Sequence, residues 1–225
     1  MAQRVIERPG VGEPPLRMGH EEWWSWSDSR TKSEWVDGEV IQFLPATVRE
    51  CELRMLLAML LSEFAQYLQL GQVYSGSLEM FLNDRGRVPD ALFIKSGNLH
   101  RLTEKRLIGP ADLAIEVVSE DSVKRDHKEK FTEYAAAGVA EYWMLESRPG
   151  EEGTAFYRLV DGVYQQFFPD ADGRLWSTVV KGFWFRPAWL QQEPLPFALT
   201  CLFEIAPVIL TSALDRQTDR QGRSG

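Results

Sequence analysis

The chain has 225 residues, 44% of them hydrophobic, enough to bury a full core in one globular domain. A formal net charge of -8 gives no global support to sequence-independent polyanion binding, so any contact with nucleic acid needs a local arrangement of charge. No stretch approaches the roughly 18 unbroken apolar residues of a membrane span, and two scattered cysteines and three scattered histidines argue against a disulfide framework or a zinc site.

The opening segment AQRVIERPGVGEPPLR lacks the apolar stretch of a secretion signal, which makes the cytoplasm the expected location. Residues 1–17, rich in Pro and Gly, and 207–225, with its polar SALDRQTDRQGRSG, are expected to be disordered. One domain is expected between them, over 18–206. It begins with a short aromatic helix at HEEWWSW. In SEWVDGEVIQF, Asp37-Gly38 between two apolar runs predicts a hairpin. Over 48–70, Leu53, Leu56, Leu57, Leu60, Leu61, Phe64 and Leu68 predict a long amphipathic helix with Gly71 as its C-cap.

VYSGSLEMFL and RVPDALFIK predict two strands joined around Asn83-Asp84-Arg85-Gly86, and 113–118 a third. A helix over 121–137, ended by Gly138, leads to a fourth strand in VAEYWMLE. This order predicts an α/β (α+β) domain with a mixed central β-sheet flanked by helices. Asp161-Gly162 and Asp172-Gly173 turns then suggest a C-terminal antiparallel meander, with helical pieces near 187–192 and 197–205.

In the third strand, alternation puts Asp112, Ala114, Glu116 and Val118 on one face. A carboxylate on a face of Ala and Val is costly unless paired, protonated or metal-bound, so Glu116 needs a partner. On a helical wheel of about 100° per residue, Lys130 falls inside the apolar stripe of Val123, His127, Phe131, Tyr134 and Ala137. A plain Glu116–Lys130 or Asp126–Lys130 ion pair satisfies the pattern without chemistry. Asp90, at the start of the strand ALFI, supplies a third group. Two carboxylates and a lysine make a hard-oxygen site for Mg²⁺ with a cation beside it, which suits phosphodiester hydrolysis.

These residues resemble the PD-(D/E)xK nuclease superfamily, and within it the Uma-type family of proposed restriction endonucleases. The resemblance lies in EWVDGE (34–39), PDALFI (89–94), DLAIEVVS (112–119) and KFTEYAAAGVAEYW (130–143), and covers roughly 18–206. It implies a restriction-endonuclease-like fold and a Mg²⁺- or Mn²⁺-dependent endonuclease acting on DNA. Asp90 and Glu116 would be the metal ligands, Lys130 the motif lysine and Glu34 an additional acid. On the residues alone Glu34 reads as a solvated strand-edge glutamate. Where the plain motif has its lysine, two residues after Glu116, this chain has Val118, and the resemblance implies that the lysine is recruited from the next helix. A histidine that relatives carry at the start of the long helix is absent, with Arg49, Glu50 and Cys51 in that neighbourhood.

Tyr134, Trp143, Trp184 and the Trp23, Trp24, Trp26 group read as core, and the basic clusters Lys95, Arg101, Lys105, Arg106 and Lys124, Arg125, Lys128 as solvated faces. A homodimer is the expected assembly, because two cuts in a duplex commonly need two active sites. The competing expectation is a nuclease-fold binding protein without activity. An open cleft joining Asp90, Glu116 and Lys130 would speak for catalysis, and a closed Glu116–Lys130 pair without a cleft for a structural role.

Overall fold

A computed structural model of the protein describes residues 15–27, 32–76 and 78–208. Most of the two end segments expected to be disordered therefore lies outside the described residues. Leu16 is already part of the domain, since its carbonyl accepts a hydrogen bond from Val40 N at 2.8 Å.

Helix α1 (His20–Trp26) carries the buried Trp23, whose indole N–H donates to Ser33 Oγ at 2.9 Å. Strands β1 (Ser33–Val36) and β2 (Glu39–Gln42) form the predicted hairpin, with Asp37 (φ 51) and Gly38 (φ 83) both left-handed as a tight two-residue turn requires. Helix α2 (Val48–Tyr67) starts at a capping box in which Thr47 and Glu50 each accept the other's backbone N–H at 3.2 Å. Gln69 (φ 55), not Gly71, takes the left-handed position that ends it. Gly71 instead opens β3 (Gly71–Ser75), where an added Cβ would run into Ile94 O.

The two strands expected over 73–95 are four. β4 (Glu79–Leu82) and β5 (Arg85–Arg87) pair tightly around Asn83 and Asp84, while β3 pairs with β6 (Ala91–Lys95) outside them. This nested arrangement feeds two sheets. The inner pair, with β1, β2 and the short parallel strand β7 (Arg106–Ile108), makes a five-stranded sheet ordered β2-β1-β5-β4-β7. The outer pair joins β8 (Leu113–Val118), β9 (Glu141–Glu146), β10 (Ala155–Val160) and β11 (Val163–Phe167) in a six-stranded sheet ordered β11-β10-β9-β8-β6-β3.

Within the central sheet β8 and β9 are parallel and the other pairs antiparallel, so the mixed sheet flanked by helices is as expected. The β8–β9 crossover contains a wide π-type turn at Arg125–Lys130, then α3 (Phe131–Ala137), closed by Gly138 at φ 91. The C-terminal antiparallel run is continuous with the central sheet through β10 and β11. Only β12 (Leu175–Trp176) and β13 (Trp184–Phe185) form a ladder of their own.

Alternation along β8 divides two cores. Leu113, Ile115 and Val117 pack with α2 and with α4 (Ala198–Ile205), whereas Ala114 and Val118 face Tyr134, Tyr142, Met80 and Leu107. Trp143 and Trp184 are core residues as expected, and both cysteines are free. Among the described residues no helix is long and apolar enough to cross a membrane.

Gly71→Ala is expected to lower unfolding stability by about 1–3 kcal/mol through backbone overpacking. Gly97→Ala, whose Cβ meets nothing within 4 Å, should be nearly neutral. Urea denaturation of both variants checks the contrast.

Candidate active site

Glu116 lies at the centre of the six-stranded sheet on β8 and is almost fully buried. The antiparallel register Ala91↔Ile115, extended by one residue, sets Asp90 opposite Glu116. Val117 N donates to Asp90 Oδ2 at 2.8 Å and fixes that carboxylate at the end of β6. Asp90 Oδ1 takes Lys32 Nζ at 2.8 Å and Arg54 Nη1 at 3.4 Å.

From the crossover turn, Lys130 reaches back to the sheet. Its Nζ is 3.0 Å from Glu116 Oε1, 3.0 Å from Glu34 Oε1 and 3.3 Å from Asp126 Oδ1, and all four groups are at least 98% buried. Tyr134 donates its hydroxyl to Glu116 Oε1 at 2.8 Å, so its packing role comes with a polar one. Lys130 and Tyr134 both meet Glu116 at Oε1.

Glu34 is not the solvated edge residue that its place beside a hairpin suggests. It accepts Arg87 Nη1 at 2.8 Å and Val88 N at 3.0 Å, and it lies behind Lys130 instead of lining the cleft. Arg87, fully buried, also donates to both oxygens of Glu133 on α3. Val118 is packed into the second core, so the position two after Glu116 holds no functional group.

A small cleft of about 50 Å³ brings together Asp90, Glu116, Asp126, Lys130, Lys32 and Arg54. Glu50 also lines a wider cleft of about 770 Å³, bounded by residues near Glu146 to Thr154 and Pro187 to Glu193. Neither expected basic cluster lines the small cleft; Arg106, for one, is tied to Glu21 and Glu79. At the start of α2, Arg49 donates to the carbonyls of Leu190 and Gln192, and Cys51 Sγ accepts from Arg54.

Burial opposes every charge here, and the partners decide which survive. Burial alone would push Glu34 up, but Lys130, Arg87 and Arg125 hold it down at about 2. For Glu116 burial prevails: the repulsion of Asp126 and Asp90 adds to it, Lys130 only partly offsets it, and the carboxyl is pushed up to about 8. Lys130 would lose its proton on burial, but Glu116, Glu34 and Asp126 outweigh that and raise it above the ordinary lysine value. Asp90, also opposed by burial, is held below the usual carboxylate range by Lys32, Val117 N and Lys130.

The sequence profile of Uma2, described as "Putative restriction endonuclease", matches residues 21–189. The chain belongs to the Uma2 family. A similar solved structure is a crystal structure described as "a putative nuclease belonging to DUF820" from Anabaena variabilis. It is 14% identical, with a TM-score of 0.60 over 84% of this chain and 98% of that one, a likeness of fold. No curated protein matches.

In this Uma2 chain the structure joins Glu116, Lys130 and Glu34 in one network with Arg87, Asp126 and Tyr134, and sets Asp90 in the same cleft on Lys32 and Arg54. The i, i+4 spacing of Asp126 and Lys130 and the alternation of Arg85 and Arg87 before Pro89-Asp90 were the available signals for two of these. Lys32 and Arg54 left none, because their partner is distant in sequence.

Lys130→Met leaves buried carboxylates without their shared cation and is expected to cost about 3–5 kcal/mol. Because folding raises Glu116 from 4.5 to about 8, the folded chain holds its proton where the unfolded chain loses it. That stabilisation is present below pH 4.5 and lost as pH rises to about 8. Melting temperatures across this range should fall with pH in the native protein relative to Glu116→Gln; parallel curves would contradict the assignment.

Proposed function

We propose that this Uma2 protein hydrolyses DNA phosphodiester bonds as a Mg²⁺-dependent endonuclease, with Mn²⁺ an alternative ion, and that Asp90, Glu116 and Lys130 carry the reaction. The observation behind this reading is the fixed ammonium of Lys130, 3.0 Å from Glu116 in the cleft that Asp90 also lines.

The donor set fits such an ion in its open form. Mg²⁺ keeps several waters and binds through one or two carboxylates plus substrate phosphates. Among the described residues no group of three or more His, Cys, Asp or Glu could enclose a metal, but Asp90 and Glu116 supply the pair. Beside Glu116, whose carboxyl burial pushes up to about 8, the small cleft has four carboxylates, Glu50, Asp90, Asp121 and Asp126, against three cations, Lys32, Arg54 and Lys130. That imbalance favours a divalent cation and disfavours a phosphodiester arriving without one.

Bound there, the ion would polarise a phosphoryl oxygen and make its water a stronger acid. The chain's own groups do the remainder. Val117 N orients Asp90, and Tyr134 and Lys130 anchor Glu116 through Oε1. Lys130 stays an ammonium at neutral pH, so it does not take the proton of the attacking water. It stabilises negative charge on the equatorial oxygens of the pentavalent phosphorus as water adds and gives up its proton to solvent, while the bond to the 3′ oxygen breaks and that oxygen takes up a proton from solvent. Glu34 and Asp126 hold Lys130 in place. Two such sites serve the two strands of a duplex, so the working unit we propose is a homodimer.

A second reading, a nuclease-fold binding protein without catalysis, is favoured by the closure of Lys130 on Glu116 and of Lys32 on Asp90. Nicking of supercoiled plasmid separates the two. The expected outcome is cleavage with Mg²⁺ or Mn²⁺ that falls at least about 100-fold in Asp90→Ala, Glu116→Ala and Lys130→Ala. No cleavage with either ion, or undiminished cleavage by Glu116→Ala, leaves the binding reading.

A further inference from the structure

Lys32 and Arg54 take no part in the network around Lys130. They come from different elements, the segment before β1 and the middle of α2, yet both end on one oxygen, Asp90 Oδ1, at 2.8 and 3.4 Å. The other Asp90 oxygen is occupied by Val117 N. One cation would neutralise this carboxylate, so the second is surplus to it. Their exposure also sets them apart: Lys32 and Arg54 side chains are 24% and 25% exposed, against 1% for Lys130. Lys130 is enclosed, whereas these two long side chains line the cleft with part of their surface open to solvent.

We propose that Lys32 and Arg54 form an anion clamp, stored on Asp90 in the metal-free protein and released to the non-bridging oxygens of a phosphodiester when Asp90 binds a divalent cation. The inference rests on the nuclease reading and names the groups that hold its substrate. The chemistry suits the pair: a guanidinium offers a planar fork to two phosphate oxygens, and an ammonium adds a point charge beside it. Lys32 also has the face of Phe43 at 5.0 Å from its Nζ, an apolar surface along which the lysine stem can move without leaving the cleft. Storage on Asp90 explains why two cations flank a carboxylate that one would satisfy. It also makes tight phosphate binding conditional on the ion.

The clamp can be read without divalent ions and without catalysis. Asp90→Asn removes the charge that stores the two cations while its side-chain oxygen can still accept from Val117 N. In the absence of divalent ions this variant is expected to bind dimethyl phosphate, followed by NMR, and a labelled DNA duplex, followed by anisotropy, about tenfold more tightly than the native protein. Asp121→Asn removes one charge from the same cleft without touching Lys32 or Arg54 and should gain much less. Adding Lys32→Gln or Arg54→Gln to Asp90→Asn should abolish the gain.

Equal gains in Asp90→Asn and Asp121→Asn, or a gain that survives loss of both cations, would overturn the clamp. Clamp-dependent binding of dimethyl phosphate, with no duplex binding even in Ca²⁺, would uphold the clamp and defeat the nuclease reading. If Asp90→Asn does not fold, Lys32→Gln and Arg54→Gln in the Ca²⁺-loaded protein are each expected to weaken duplex binding about tenfold, and unchanged affinity would overturn the proposal.

Discussion

An ammonium group with almost no solvent contact holds this structure's candidate site together. Removing such a charge from water costs several kcal/mol even after the protein relaxes, and Lys130 is tolerable only because three carboxylates surround it. Those carboxylates come from β1, β8 and the crossover turn, so one side chain ties the five-stranded sheet, the central sheet and the helix between β8 and β9 to one another. Arg87 extends the tie from Glu34 to Glu133 on α3. The geometry of the site and the docking of the two sheets therefore depend on the same charges.

This dependence explains the division of labour among the acids. Glu34, gripped by two cations and a backbone N–H, is the permanently ionised member and serves as the anchor. Glu116 is pushed up to about 8 by burial and by its acidic neighbours, which makes it the member whose charge a bound cation would call out. Asp90 is held below the usual carboxylate range against its burial, by Lys32, Val117 N and Lys130. A net charge of -8 is consistent with the proposed function, in which recognition of a polyanion would rest on a small cleft and not on a long-range field.

Much of this was legible in the sequence wherever the signal was local. A glutamate out of phase on a buried strand, a lysine inside an apolar stripe and Asp37-Gly38 between two strands each follow from short-range periodicity or turn chemistry. The π-type turn at Arg125–Lys130 departs from the regular wheel, yet Lys130 still points inward, where such turns often lie beside functional groups. What escaped depends on partners distant in the chain. Gly71 has the place of a helix cap, and only pairing with β6 reveals it as a close-approach residue. The division of 71–95 between two sheets, the burial of Glu34 and the convergence of Lys32 and Arg54 on Asp90 are likewise products of tertiary arrangement.

The family match and the 14% identical fold neighbour establish lineage and architecture, while the chemistry rests on where a cation would sit. A crystal structure of the protein soaked in Mn²⁺, with anomalous differences to locate the ion, tests this most directly. The account predicts a peak between the carboxylates of Asp90 and Glu116, with Lys130 still on Glu34 and Lys32 drawn away from Asp90. Well-ordered crystals with no peak in that cleft, or with the ion bound elsewhere and Lys32 still on Asp90, would contradict it.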